Sequence, residues 1–188
     1  MDVNNQLAGH FLIAMPNLKD PNFFHTVTYL CEYTPSVSAM GLVVNRPLNL
    51  SLTELAEQLE IEITEPDMQH IPIYNGGPVH TDRGFVLHTN QGEWDNTLTI
   101  NSSMSLTMSQ DIIEAIAAGI GPDHFLIALG YAGWGESQLE DEIAANAWLN
   151  GLADTDIIFK TPAESRWTAA AQHLGVAFEQ LSSDIGHA

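Results

Sequence analysis

An apolar run, His124 to Leu129 (HFLIAL), breaks at Leu129-Gly130-Tyr131-Ala132-Gly133-Trp134-Gly135 into a glycine-rich loop, and the loop leads into a helical pattern ending near Leu149. This junction constrains the fold more than any other stretch. Glycine lets a backbone take positive φ or approach another segment closely, while Tyr131 and Trp134 combine large apolar area with a polar tip. Such a loop is either a ligand lip or a packing corner.

The remaining apolar runs are short and punctuated. His10 to Met15 reads as a buried strand stopped by Pro16, and Asp20-Pro21 reads as a capped helical turn. Thr26 to Tyr33 and Ala39 to Asn45 form an antiparallel hairpin across Thr34–Ser38, with Val27, Tyr29 and Cys31 on one face. Ser51-Leu52-Thr53-Glu54 is a capping box that opens a helix to about Leu59. Ile71 to Tyr74 is a short strand entering a second glycine turn, Asn75-Gly76-Gly77-Pro78-Val79. Arg83 to His88 and Thr97 to Ile100 are strands, and Thr107 to Ala118 is an amphipathic helix closed by Gly119 and Gly121. In the helix after the first junction, Leu139 and Ile143 define the buried stripe, and the spacing puts the Asn146 amide on nearly the same face with a partner inside. Asp156 to Phe159 reads as a last strand, and Pro162 opens a final helix to about Leu174, stopped by Gly175. Interspersed hairpin-like strands and helices without regular βαβ alternation predict an α+β fold with a mixed, mainly antiparallel sheet, in a single domain over residues 1–188.

Charge bounds the partners. Twenty-four acidic residues against five cations, Lys19, Arg46, Arg83, Lys160 and Arg166, give a net charge of −19. A nucleic-acid surface needs several Lys or Arg on one face to displace counterions, and an anionic membrane is repelled by the same field. Direct DNA or RNA binding and membrane association are therefore not expected. The single cysteine, Cys31, fits a reducing compartment, and no signal-peptide or spanning pattern is present, so the expected location is cytoplasmic.

No catalytic motif stands out. Cys31 sits mid-strand on an apolar face and reads as core, and Ser137 lacks a G-x-S-x-G elbow. His80-Thr81-Asp82 with His88 is the nearest approach to a metal cluster, and the acids from Glu136 to Glu142 suit a solvated first helical turn. No metal or cofactor is predicted. A hydrolase using His80, Asp82 or Glu142 as base is one alternative reading.

The turns offer more. The glycine turns can present backbone N–H groups to an anion, although neither matches a dinucleotide fingerprint or a P-loop. Arg46 and Arg83 both lie beside turn residues, where each can bind a carboxylate or phosphate or else neutralise local acids such as Asp82. The candidate ligand-binding residues are Asn45, Arg46, Asn75, Gly76, Gly77, Arg83, Gly130, Tyr131, Gly133 and Trp134, with Asp20, Glu142 and Asn146 as structural support. They predict a cleft where the three turns meet.

The runs GHFLIAMPNLKDPNFFHTVTYLCE, MGLVVNRP, YNGGPVHTDRGFVLH, ALGYAGWGESQLEDEIAANAWL and DIIFKTPAESRW, in that order, resemble the YqgE/AlgH family of bacterial proteins, and the resemblance extends to Gly186-His187-Ala188. It implies a bifurcated sheet folded into a pseudo-barrel with about four flanking helices. It implies little about function: members are mostly uncharacterised, and some are described as transcriptional regulators through an association with alginate production. The charge balance directs any such role toward a small anionic ligand or a protein partner. A binding or regulatory protein is thus the leading expectation, with an acidic protein-interaction module as a further alternative.

Overall fold

The computed structural model describes residues 7–178, so the closing Gly186–Ala188 motif lies outside it. The described chain runs β1 (His10–Ala14), β2 (Val27–Thr34), β3 (Ser38–Val43), β4 (Pro47–Ser51), α1 (Leu52–Gln58), β5 (Pro72–Asn75), β6 (Val79–Thr89), β7 (Thr97–Thr99), β8 (Met104–Thr107), α2 (Gln110–Ala117), β9 (Phe125–Trp134), α3 (Gln138–Ala144), β10 (Trp148–Leu152), α4 (Thr155–Lys160) and α5 (Arg166–His173).

Alternating residues in the early strands bury both faces of one sheet. Phe11 and Ile13, with Val27, Tyr29 and Cys31, enter the main core cluster. Leu12, Ala14 and Leu30 point the other way, into a second cluster with Trp134, Leu139 and Trp148. A third cluster beneath α1 and α2 gathers Leu52, Leu55, Ile112, Ile113 and Ile116 against Ile73, Val86 and Ile127.

The sheet follows the order β10-β1-β2-β3-β9-β6-β8-β7, with β4 and β5 branching from it. The branch point is β9. Its first half pairs with β5 in parallel, Ile73 opposite Ile127, whereas its second half pairs antiparallel with β3, Ala39 opposite Trp134. On its other side β9 pairs antiparallel with β6 along most of its length. The result is the expected mixed, mainly antiparallel bifurcated sheet, curled into a half-barrel with five α-helices around it among the described residues.

Several boundaries differ from the sequence reading. The glycine-rich stretch is not a loop: β9 continues through it to Trp134, because Met40 and Gly41 on β3 pair with Gly133 and Ala132. The helix that follows stops at Ala144, and Trp148–Leu152 is a strand paired with β1. Asn146 is exposed and left-handed at φ 60, and it terminates α3: its N–H donates to Ile143 O (3.0 Å) and that of Ala147 to Glu142 O (2.9 Å). This is a Schellman closure in which asparagine is tolerated for its backbone, so its amide has no interior role. Asp156–Phe159 is helical within α4, capped by Asp154, whose Oδ1 accepts from Asp156 N (3.0 Å). Residues 104–107 form β8, so the following helix begins only at Gln110, and Pro47–Ser51 is the additional strand β4.

Candidate functional site

The three turns meet, and backbone contact joins them. Asn75 N–H donates to Arg46 O, Gly76 N–H to Leu129 O, and Val43 N–H to Gly76 O, each at 2.8 Å. The Asn75 side chain accepts from Gly77 N–H at 3.2 Å. A Cβ on Gly76 would lie 2.3 Å from Gly130 O, one on Gly77 2.2 Å from Tyr131 C, and one on Gly130 2.4 Å from Gly77 O. These glycines are therefore required where two backbones cross, and the Gly76 and Gly77 N–H groups are already engaged.

The motif Asn45-Arg46 grips a neighbouring turn. Asn45 Oδ1 accepts from Val27 N–H and its Nδ2 donates to His25 O, both at 2.9 Å. Arg46 Nη1 donates to Pro21 O (2.9 Å) and Asn22 O (2.8 Å), and Nη2 to Phe24 O (2.7 Å). Asp20 begins that turn, its carboxylate accepting from Asn22 N–H at 2.9 Å. Arg46 thus satisfies backbone carbonyls, and it does not line the cleft described next.

Arg83 is placed differently. Against β9, Val79 pairs with Tyr131 and Gly84 with Leu129, so the four residues His80–Arg83 stand opposite the single residue Gly130. Gly130 at φ 77 and His80 at φ 48 supply the left-handed turns of this bulge. Bulges re-aim side chains and recur beside functional sites. Here the bulge sets Arg83 at the wall of a cleft of about 530 Å³. Among the described residues the Arg83 guanidinium has no carboxylate within 4.0 Å.

The cleft spans strands from both halves of the sheet. Tyr131, Gly133 and Trp134 of β9 contribute to it, as do Phe85 of β6 and Met40 of β3. The Tyr131 ring meets Phe85 edge-on at 5.6 Å and His80 at 5.8 Å. Glu32, of opposite charge to Arg83, also lines it. Its position follows from a second bulge, where Leu30 pairs with Gly41 but Glu32 with Met40. The extra residue is Cys31, whose thiol is buried and has its pKa pushed up by desolvation, as expected for packing rather than reactivity.

Behind the cleft, Glu142 fixes Trp134. Its Oε2 accepts from Trp134 Nε1 (2.8 Å) and Trp148 Nε1 (2.9 Å), while Oε1 accepts from Gln138 Nε2 (3.0 Å). Phe23 stacks on Trp134 at 6.0 Å and meets Trp148 edge-on at 5.4 Å. Glu142 thereby anchors an aromatic cluster, whereas His80 and Asp82 sit on the β6 bulge. Among the described residues no hydrogen bond joins any two of the three, and no group of three or more His, Cys, Asp or Glu is placed to hold a metal ion.

Of the ten candidate ligand residues, the structure brings Arg83, Tyr131, Gly133 and Trp134 into one cleft. Asn45, Arg46, Asn75, Gly76, Gly77 and Gly130 shape the backbone crossing behind it. Sequence reasoning missed Glu32, Met40 and Phe85. The one available signal was a charged residue inside the apolar run TVTYLCEY, since strand alternation does not reveal a bulge.

Comparison with known proteins agrees with this architecture. A family model described as AlgH-like matches residues 11–179. A UPF0301 protein of Thioalkalivibrio sulfidiphilus is 50% identical over 188 residues, covering 100% of both chains, and one of a Marinomonas strain is 52% identical over 183 residues, covering 97% of each. The solution structure of the AlgH protein from Pseudomonas aeruginosa is similar at TM-score 0.79 and 50% identity, over 100% of this chain and 98% of that one. A crystal structure of a Corynebacterium diphtheriae protein, 20% identical, shares the fold at TM-score 0.71 over 92% of this chain and 90% of that chain. Both the sequence match and the shared architecture extend over nearly the whole chain, which belongs to the YqgE/AlgH family.

Proposed function

We propose that the protein is a binding protein whose cleft captures a small organic anion, with Arg83 pairing the anionic group and Tyr131, Phe85 and Met40 covering an apolar body. The observation that carries this reading is a guanidinium with no carboxylate partner among the described residues, on an aromatic wall in a chain of net charge −19. Arginine recognises carboxylates and phosphates through paired N–H donors, and methionine adapts to irregular ligands. Glu32 on the same cleft favours a singly charged anion over a multiply charged one.

The distribution of cations supports a route other than direct nucleic-acid binding. Arg46 donates to backbone carbonyls, Arg166 is buried, and Lys160 pairs with Asp156 at 3.2 Å, which leaves little positive surface. The same acidity favours a second reading, docking of a basic protein partner, whose complex would weaken steeply with salt. No helix among the described residues is long and apolar enough to cross a membrane.

Calorimetric titration with 3-phenylpropanoate, within a panel of aromatic and aliphatic monoanions, tests the cleft. Saturable binding to the wild type should weaken about ten- to a hundredfold in Arg83→Ala, the loss expected for charge-assisted hydrogen bonds. Equal affinity in the variant, or no binding of any panel member to the wild type, would overturn this reading.

A further inference from the structure

We propose that a second cavity, floored by Arg166, binds a small apolar monocarboxylate. It shares no lining residue with the Arg83 cleft. Arg166 opens α5 and is only 6% exposed. Its Nε donates to Thr161 O (2.9 Å), and its Nη1 donates to Val44 O (2.6 Å) and Tyr74 Oη (3.0 Å). The guanidinium carbon lies 5.2 Å from the Tyr74 ring centroid.

Every one of these partners is neutral. Although the chain carries 24 acidic residues, none of those described comes within 4.0 Å of this buried cation. The second terminal nitrogen, Nη2, has no acceptor among the described residues. Among the described residues the enclosed polar side-chain atoms without a partner are His10 Nδ1 and Thr28 Oγ1, and Nη2 is not one of them. A buried guanidinium met only by neutral oxygens bears a desolvation cost that a bound anion offsets.

The cavity next to it, about 300 Å³, has room for that anion. Ile71, Leu126, Ile158 and Phe159 form apolar walls around Arg166 and Tyr74. Tyr74 Oη accepts from Nη1, so Nη2–H and the Tyr74 O–H are the two donors this site offers one carboxylate. At the exposed mouth His124 stacks on Phe159 at 5.6 Å, and Asp123 stands beside it. A carboxylate at the entrance opposes dianions such as phosphate and dicarboxylates, while apolar walls favour a branched aliphatic body. The site therefore suits a five- or six-carbon branched monocarboxylate.

An amide NMR titration of the full chain with 4-methylpentanoate, alongside neutral 4-methylpentanamide, tests the site. The acid should give saturable shifts at Ile71, His124 and Phe159 that the amide does not. Those shifts should persist in Arg83→Ala, which separates this site from the larger cleft. Asp123→Asn should tighten binding about two- to fivefold, and Arg166→Gln should abolish it. Because Arg166→Gln also loses backbone anchors, the acid-against-amide contrast and the Asp123→Asn gain decide the matter if that variant unfolds. Absence of saturable shifts with the acid, or equal shifts with the amide, would overturn the proposal.

Discussion

Two indole N–H groups converge on one carboxylate oxygen, Glu142 Oε2, and both tryptophans are 4% exposed. A buried donor that loses its acceptor costs about 1–3 kcal/mol. Glu142→Leu should therefore destabilise the protein by about 2–4 kcal/mol. Glu142→Gln, which retains an acceptor oxygen, should cost less, and denaturant unfolding followed by tryptophan fluorescence measures both. His88 is a second residue with a legible consequence. It is 1% exposed, with Nδ1 2.7 Å from Thr89 O and Nε2 2.7 Å from Thr107 Oγ1. Burial lowers its pKa below the ordinary 6.5, and burial lowers those of His10 and His25 too. Below pH 6.5 the unfolded chain takes up protons that the folded chain resists, so stability is full above that pH and falls as the pH drops through it. Unfolding free energy measured from pH 7.5 down to about 5 should decline, and His88→Gln should flatten the decline.

The elements show why some boundaries were legible and others were not. The capping box is a local signal and is present as read: Ser51 N–H donates to the Glu54 carboxylate at 2.8 Å. The Asp20 turn and the β2–β3 hairpin are similarly local. Asp156–Phe159 is different, because four apolar-rich residues fit either a strand or a helical turn, and tertiary packing of Ile157 and Ile158 into the main core decides for the helix. In β9 the glycines suggested a loop because their conformational freedom resembles one. What Gly130 actually meets is the crossing with the Asn75–Val79 turn, a long-range contact that no local pattern encodes. Gly130→Ala should cost roughly 3 kcal/mol or more, from its left-handed backbone and the approach of Gly77 O. Gly135→Ala, where a Cβ meets nothing within 4 Å, should stay within about 0.5 kcal/mol of wild type, and denaturant unfolding of the two variants measures both.

Across the whole molecule, branching at β9 allows β3 and β6 to flank one strand, and the bulges in β2 and β6 bring Glu32 and Arg83 to the same cleft. The family and the fold class were legible in the sequence, and four of its candidate residues, Arg83, Tyr131, Gly133 and Trp134, line the cleft. Sequence reading grouped Arg46 with Arg83 because both stand beside turns, and only the carbonyl partners of Arg46 separate a clamp from the binding group proposed at Arg83. That separation is the central claim, and thermal unfolding of wild type, Arg46→Ala and Arg83→Ala with and without 3-phenylpropanoate tests it most directly. Arg46→Ala should lower the ligand-free melting point, with a loss of about 1.5–3 kcal/mol, yet keep the ligand-induced increase. Arg83→Ala should melt like wild type without ligand and lose that increase. A ligand-induced increase that survives in Arg83→Ala, or disappears in a folded Arg46→Ala, would contradict the account.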